Sequence, residues 1–490
     1  MSGKSSSFTL NVLKLITGSI AAQGLGILVA PIITRLFAPE EFGVAAVFAS
    51  IIGIGSVLAC LRYQMAIMLP KSREEAANIV GVSILSVSIV TAISALAVLF
   101  AAERIVSLLK VRELMYYLWL VPVAIFVNGI FVALSCWTSR SKRFGRLSIA
   151  GILSSLTTNI TKLVLGFAGL VSAGVLIVSG ILGSIISTLV LGRLVWRDDQ
   201  GLFKSAVRWA KMMSGFRRYK KFPLVSTWSA LLNVSSQYLP VLLLSFYFSP
   251  AVVGFFSLGR NVLSIPMNFI GGAIARVFYQ KAAEANNRPG ELANVVEQVF
   301  KRLVSIGVLP ILILTIVGKD LFVIVFGARW AEAGVYVQIM GVWMFFNFIS
   351  SPMSTLTSVL EKQGAGLCYN GVLFVLRGVS LVVGASIGNA RTALIIYSAT
   401  GTLFYIWFLF WLLTSAKVPL LRVLSHSKYF IYPIPLLGIT SFAKWGLSLG
   451  PPPVLIIAFL TMIPYYFMIF GHDQILKKHI RMAVPKFRSY

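Results

Sequence analysis

Stretches of about 20 mostly apolar residues recur from one end of this chain to the other. Each is long enough to cross roughly 30 Å of hydrocarbon as a helix. Of the 490 residues, 58% are hydrophobic and only 12% are charged, whereas a soluble domain carries about 25% charged residues. Backbone polar groups inside a bilayer must bond to one another, and a helix achieves this within one segment. The sequence therefore predicts an all-α integral membrane protein.

We place fourteen transmembrane helices along the chain. The first run is counted as a span because it is long and no small-residue cleavage site follows it. Gly169, Ser172 and Gly174 divide residues 149–195 into two spans. The predicted bounds are 10–37, 43–69, 79–102, 114–138, 149–171, 175–195, 223–248, 254–280, 303–326, 333–360, 366–388, 392–416, 429–448 and 454–471.

Basic residues collect in the connections on one side of these spans. Lys and Arg total 43 against 15 Asp and Glu, a net charge of +28. Cytoplasmic loops of membrane proteins are enriched in Lys and Arg, so the excess indicates topology and not a nucleic-acid partner. Both termini are predicted to be cytoplasmic. The main basic connections are residues 71–73, 140–146, 193–221, 301–302, 417–428 and 477–488.

A short motif occurs twice, at corresponding places in two groups of six spans. Phe37-Ala38-Pro39 leads to Gly43, and Phe248-Ser249-Pro250 leads to Gly254, with the copies 211 residues apart. Two six-helix lobes related by a pseudo-two-fold axis along the membrane normal would place both motifs on the same side. A plain proline–glycine turn is the alternative. The predicted organisation is an N-terminal lobe (1–195), a basic cytoplasmic linker (196–222), a C-terminal lobe (223–416), helices thirteen and fourteen (417–471) and a basic cytoplasmic tail (472–490).

Charges inside the predicted spans are almost all positive. The fifteen acidic residues fall in loops or near span ends; among them, Asp320 is a candidate for a proton relay. A cation at the bilayer centre costs about 2.5–3.5 kcal/mol, a cost that a water-filled cavity holding an anion removes. Snorkelling to the headgroups is an alternative for the arginines near span ends, and Lys162 has backbone carbonyls or Asn159 as alternative partners. Cations within the spans include Arg62, Lys162, Arg260, Arg276 and Arg377.

The first hairpin also carries a family resemblance. The segment from Thr34 to Gly43, Thr-Arg-Leu-Phe-Ala-Pro-Glu-Glu-Phe-Gly, resembles the first hairpin of polysaccharide (O-antigen-type) flippases. These belong to the multidrug/oligosaccharidyl-lipid/polysaccharide exporter superfamily. Cys60–Tyr63 and Lys71–Asn78 extend the similarity, which covers about the first 80 residues. The resemblance implies a bacterial inner-membrane protein that moves undecaprenyl-pyrophosphate-linked oligosaccharide for lipopolysaccharide O-antigen by alternating access. It also implies membrane lipid, polysaccharide polymerase and chain-length machinery as partners.

In that superfamily, spans one, two, seven and eight line a central cavity. Arg35, Arg62, Arg260 and Arg276 fall on these spans, and with Arg377 and Lys162 they form a predicted cationic ring for a pyrophosphate. The remaining candidates are Gln23, Asn233, Gln237 and Asn261 for glycan contacts, with Tyr238 and Asn268 beside them, and Pro31, Pro240 and Pro266 as hinges. Alternatively, the polar residues form ordinary interhelical hydrogen bonds, and the prolines have no hinge role, since proline is common in membrane helices.

Other functions are possible for a chain of this kind. A peptidoglycan-precursor (lipid II) flippase shares the same charge chemistry, and the first hairpin favours surface polysaccharide. A drug or cation exporter of the same fold needs buried carboxylates, and the first span has none. A membrane glycan polymerase needs a large outer loop, whereas the outer connections here are short. The sequence has no Gly-rich phosphate loop or nucleophile–base pair, and its three cysteines have no metal spacing. We therefore predict a non-enzyme without cofactor or metal.

Overall fold

The structure is a computed structural model that describes residues 2–288, 290–419 and 431–472. Every regular element within these residues is a helix. Eleven of these helices are long and apolar enough to cross a membrane, and one further pair, Pro250–Gly271 with Ile274–Asn286, bends by 42°. The predicted all-α integral membrane fold is confirmed, and the helix count is consistent with about fourteen spans. Residues 473–490 of the predicted tail and the loop residues 420–430 lie outside the described residues.

The chain divides into two compact units, the first comprising residues 1–257 and 370–385. Its helices cover the predicted spans one to seven. They also include the start of α10 and the central part of α15, whose full bounds follow with the second unit. The bounds are α1 Ser2–Leu36, α2 Pro39–Ala59, α3 Tyr63–Ala66, α4 Arg73–Leu109, α5 Leu120–Arg140, α6 Phe144–Phe167, α7 Ala173–Ala206, α8 Trp209–Arg218 and α9 Thr227–Tyr247.

Several of these bounds differ from the prediction because apolar character and helical backbone end at different places. α7 continues through charged residues to Ala206, and the basic stretch after it contains the short helix α8. α4 begins at Arg73, where Ser72 accepts a 3.1 Å hydrogen bond from the backbone N–H of Glu75. Serine in this position satisfies a helix-terminal donor, which fixes the start of α4 before its apolar stretch begins.

A buried cluster holds α4, α5 and α7 together in the first unit. Trp137, Tyr63 and Leu191 are among its almost fully buried members. Large apolar side chains elsewhere on α4, such as Ile93 and Phe100, are exposed. Since a bilayer is as apolar as a protein core, exposed side chains of this kind are expected on a lipid-facing surface.

The two copies of the repeated turn motif meet within the first unit. A Cβ added at Gly43 would overlap the carbonyl oxygen of Pro250, and a Cβ added at Gly254 would overlap that of Pro39. The contact is therefore reciprocal, with the glycine of each copy against the proline of the other. Only glycine allows two backbones to approach this closely.

The second unit comprises residues 258–369 and 386–490, within the described ranges. α12 packs on α13, where Gly318 and Gly334 bring the two backbones into contact. The hydroxyl of Tyr465 donates to the Ser305 carbonyl at 2.9 Å and fastens the last described helix to α12. The bounds are α10 Pro250–Pro266, α11 Gly272–Asn286, α12 Glu291–Phe326, α13 Ala331–Met353, α14 Leu356–Val359, α15 Gln363–Ile387, α16 Ala390–Ser415, α17 Pro433–Ser441 and α18 Pro451–His472.

Candidate functional site

Arg62 lies on a sharp turn and not inside a straight span, which corrects the prediction for span two. One helix was expected over residues 43–69, but α2 ends at Ala59. Leu61 and Arg62 then adopt left-handed backbone conformations, with φ of 46° and 62°. This region is unfavourable for residues with a Cβ, which crowds the following carbonyl oxygen. Residues 56–69 contain no glycine or proline, so the hydrophobic pattern could not indicate the break.

Buried neighbours anchor this turn on both sides. The thiol of Cys60 donates to the Gly129 carbonyl at 3.3 Å, and the hydroxyl of Tyr63 donates to the Phe216 carbonyl at 3.1 Å. Tyr63 also stacks on the ring of Phe216, with centroids 5.3 Å apart. Strained backbone persists only where its surroundings over-determine it. Contacts to α5 and α8 supply that constraint here and hold Arg62 in place.

A cavity of about 560 Å³ opens beside Arg62 in the first unit. Its polar lining consists of Arg62, Ser226, Ser229 and Asn233, and the remaining lining residues are apolar. None of the lining residues is acidic. The cavity therefore combines one positive charge with hydroxyl and amide groups.

The Nε atom of Arg62 is buried and has no hydrogen-bond partner among the residues that the structure describes. Most buried polar atoms in proteins have a partner, and an unsatisfied buried donor costs about 1–3 kcal/mol, more when it is charged. An anionic acceptor in the cavity would remove this cost. This atom was not foreseen, because its burial depends on the turn after α2.

Polar residues form a stripe along α9 beside this cavity. Ser226 precedes the helix, and Ser229, Asn233 and Gln237 follow at spacings of three and four residues, which places them on one helix face. The amide of Gln237 donates to Asn233 Oδ1 at 2.8 Å, and both side chains are exposed. The structure thus brings the predicted glycan contacts Asn233 and Gln237 together with Arg62 or close to it. Ser226 and Ser229 were missed, although their spacing from Asn233 was visible in the sequence.

Arg377 on α15 contacts α9 at its proline. Its Nη1 donates to the carbonyl oxygen and to the hydroxyl of Ser236, both at 3.0 Å. Ser236 is the residue whose carbonyl would accept a hydrogen bond from residue 240 in a regular helix. Pro240 has no N–H to donate, so Arg377 supplies the missing donor. The predicted ring cation Arg377 and the predicted hinge Pro240 therefore belong to one arrangement, and a substrate contact for Arg377 stays a prediction.

The other predicted site residues of the first unit are spread along α1 and α6. Lys162 is half-buried and has no hydrogen bond or ion pair with any described residue. Its alternative partner Asn159 donates to Ser155 instead. Gln23 and Arg35 are exposed on α1, and Pro31 lies between them. None of these α1 and α6 residues lines the cavity beside Arg62.

The predicted site residues of the second unit lie on α10 and α11. Asn261 and Asn268 are exposed, Arg260 is half-buried, and Arg276 is exposed on α11. Pro266 ends α10 and is followed by a π-helical turn at Met267–Gly271, where the bend towards α11 begins. Because a proline removes one backbone donor, a local change of helix type at this position is expected. The structure gives Arg276 no hydrogen bond or ion pair among the described residues.

One largely buried ion pair in the second unit was missed in the sequence. Lys444 Nζ lies 2.7 Å from Asp320 Oδ2, and both side chains are less than one fifth exposed. Lys444 also donates to the Ile316 carbonyl at 2.5 Å. The signal was available, because a lysine inside the predicted span 429–448 needs a partner. Asp320, considered for a proton relay, is therefore engaged by a cation. No group of three His, Cys, Asp or Glu residues that could hold a metal occurs among the described residues.

A family model described as "Polysaccharide biosynthesis protein" matches residues 32–335. No curated protein matches the sequence. Two solved structures agree with the fold over most of the chain. "Lipid II flippase MurJ, inward closed conformation" is 12% identical, with a TM-score of 0.74, covering 94% of this chain and 99% of that one. An inward-facing multidrug resistance MATE family transporter of the MOP superfamily is 13% identical, with a TM-score of 0.64, covering 82% and 95%.

A third structure is a MOP superfamily transporter from Pyrococcus furiosus, whose binding pocket is described as having reverse polarity. It is 13% identical, with a TM-score of 0.53, and the match covers 84% of this chain and 96% of that one. At sequence identities of 12–13%, these three structures show a similar fold and nothing more specific. The family model thus confirms the polysaccharide family that the first hairpin indicated.

Proposed function

Because the chain belongs to the polysaccharide biosynthesis protein family, we propose that it flips an undecaprenyl-pyrophosphate-linked oligosaccharide. The cargo moves from the cytoplasmic to the periplasmic leaflet of a bacterial inner membrane, and both termini of the protein are cytoplasmic. The family and fold are those of multi-pass transporters. The protein acts without chemical conversion of its cargo.

The observation that carries this proposal is the cavity beside Arg62. A pyrophosphate brings the negative charge that this cavity lacks and supplies an acceptor for the buried Nε atom. Arginine suits this role because its planar guanidinium stays charged and forms two parallel bonds with phosphate oxygens. The hydroxyl and amide groups of Ser229, Asn233 and Gln237 then face the first sugars.

In the proposed function, the conformational change takes place at the reciprocal contact of the two turns. Gly43 and Gly254 pack against the opposite prolines so closely that neither turn has room for a Cβ atom. In the proposed cycle this contact closes the periplasmic end while the cargo enters from the cytoplasm. The turns then separate to release it. In the same cycle Arg377 stabilises α9 at Pro240, where it bonds to the Ser236 carbonyl.

A lipid II flippase is the second candidate, since its cargo carries the same pyrophosphate and the fold matches a flippase of that name over nearly the whole chain. The family model, described as a polysaccharide biosynthesis protein, supports the oligosaccharide cargo of the first candidate. An exporter of organic cations is disfavoured, because the cavity presents an arginine and no carboxylate among its lining residues.

The test uses proteoliposomes with the purified full chain and a fluorescent undecaprenyl-pyrophosphate oligosaccharide, compared with fluorescent lipid II. We expect the wild type to flip the oligosaccharide faster, and Arg62→Ala to slow it by at least about tenfold. Arg193→Ala is the matched control, because Arg193 is exposed on α7 and has no partner among the described residues. Equal rates for wild type and Arg62→Ala contradict the proposed site, whereas preference for lipid II supports the second candidate.

A further inference from the structure

A second cavity, of about 610 Å³, lies in the first unit where α4 begins, α5 ends and α6 begins. It shares no lining residue with the cavity beside Arg62. Its polar lining includes Arg73, Arg140, Lys142 and Arg143, together with two serines. Four basic side chains around one cavity give it a strongly positive lining.

Two carboxylates from α7 neutralise only part of this charge. Arg73 donates to Asp199 at 2.7 Å and Arg143 donates to Asp198 at 2.7 Å. Asp198 is shared further with Arg146. Its charge is therefore divided among several arginines, and the cavity keeps a positive surplus.

The remaining two cations have no acidic partner among the described residues. Arg140 donates to the carbonyl oxygens of Ile67, Pro70 and Ser72, at 3.0, 2.6 and 3.2 Å. Carbonyls orient the guanidinium and leave its charge uncompensated. Lys142 is exposed and forms no ion pair with any residue that the structure describes.

The arginines of this cavity are held in place before any ligand arrives. Trp137 is almost fully buried and donates from Nε1 to Asp199 at 2.9 Å, and the Arg73 guanidinium lies 5.9 Å from the Trp137 ring centre. Arg140 is fixed by its three carbonyls. Ordering flexible side chains on binding is costly, so such pre-organisation favours affinity.

Apolar side chains also line and adjoin this cavity. Met68 and Phe144 complete its lining. Phe203 packs on Trp137 with ring centroids 5.0 Å apart, and Phe203 in turn lines a separate apolar cleft of about 410 Å³. That cleft also includes Leu134 on α5, one turn before Trp137 and Thr138. A charged cavity and an apolar cleft thus lie on either side of one pair of rings.

We propose that the charged cavity binds the phosphate of an anionic phospholipid, with the start of an acyl chain against Met68 and Phe144 of its own lining. A phosphodiester supplies the missing negative charge, and basic cavities between helices at the cytoplasmic surface suit such headgroups. A zwitterionic lipid adds its own cation to a cavity that already has a surplus. This proposal does not rest on the identity of the transported cargo.

The test titrates dioleoyl-phosphatidylglycerol, and separately dioleoyl-phosphatidylcholine, into the detergent-purified full chain while the unfolding temperature is recorded. We expect saturable stabilisation by the anionic lipid and none by the zwitterionic one. Lys142→Asn with Arg143→Gln should weaken the apparent affinity by about tenfold or more. Asn tolerates the left-handed conformation at residue 142, where φ is 55°.

The control variant Lys211→Asn with Arg217→Gln removes the same charge from exposed positions on α8, outside the cavity. Its affinity should stay within about twofold of the wild type. Equal weakening in both variants, or none in the cavity variant, overturns the proposal. Stabilisation by inorganic phosphate at matched phosphate concentration overturns the assignment to a lipid. If the cavity variant fails to fold, Lys142→Asn alone is used, with an expected loss of about threefold or more.

Discussion

Arg377 donates two hydrogen bonds of 3.0 Å to Ser236, the residue whose carbonyl loses its helical partner at Pro240. Arg377 was predicted as a substrate ligand, and these bonds show that it also stabilises α9, the helix that lines the Arg62 cavity. The two interpretations are compatible, because one guanidinium nitrogen makes both bonds and an arginine has five donors.

The bond to Ser236 predicts energetic coupling between Arg377 and Pro240. Arg377→Ala should destabilise the protein by about 1–3 kcal/mol, since it leaves a buried carbonyl unsatisfied. In a Pro240→Ala background the helix regains its own donor, so the loss from Arg377→Ala should be smaller. Thermal or denaturant unfolding of the two single variants and the double variant measures this difference. Additive losses would show that Arg377 does not replace the missing donor.

The left-handed turn after α2 predicts an unusual response at Leu61. A β-branched side chain is least tolerated at φ of 46°, so Leu61→Val should destabilise by about 1–2 kcal/mol more than Leu61→Gly. The control is Leu58→Val, the same change three residues earlier in regular helix. Unfolding temperatures in detergent check the order. A larger loss for Leu58→Val than for Leu61→Val contradicts the described turn.

The reciprocal contact of the repeated turns predicts that one methyl group disturbs it. Gly43→Ala and Gly254→Ala each place a Cβ on the opposite carbonyl oxygen, so each should lower the unfolding temperature and the transport rate. Gly24→Ala is the control, because a Cβ there meets nothing within 4 Å, and alanine is favoured over glycine within a helix. A Gly43→Ala protein as stable and as active as the control excludes the contact.

The ion pair of Lys444 and Asp320 predicts that removing one partner is worse than removing both. A largely buried charge left alone is costly, whereas the neutral pair is tolerated. Lys444→Met and Asp320→Leu should therefore each destabilise more than the double variant. Unfolding of all three, with Lys319→Met as a neighbouring surface control, provides the measurement. The opposite order, with the double variant least stable, argues against the pair.

The sequence predicted the membrane fold and the family correctly, because hydrophobic length and the first-hairpin motif are both local signals. It proposed Asn233 and Gln237 as glycan contacts, a role that stays a prediction, and the turn that presents Arg62 has no signal in residues 56–69. The bonds of Arg377 and Lys444 depend on which helices become neighbours, and single-sequence patterns do not contain that information. The two-lobe division at residues 196–222 and the full cationic ring stay predictions.

Binding of undecaprenyl pyrophosphate to the wild type and to Arg62→Ala in lipid nanodiscs tests the central claim most directly. The account predicts that the affinity falls by about 10–100-fold in Arg62→Ala, because charge-assisted hydrogen bonds to the pyrophosphate are lost. It also predicts partial recovery in Arg62→Lys, which keeps the charge without the planar fork, and no change in Arg193→Ala. An Arg62→Ala protein that binds undecaprenyl pyrophosphate as tightly as the wild type would contradict the account.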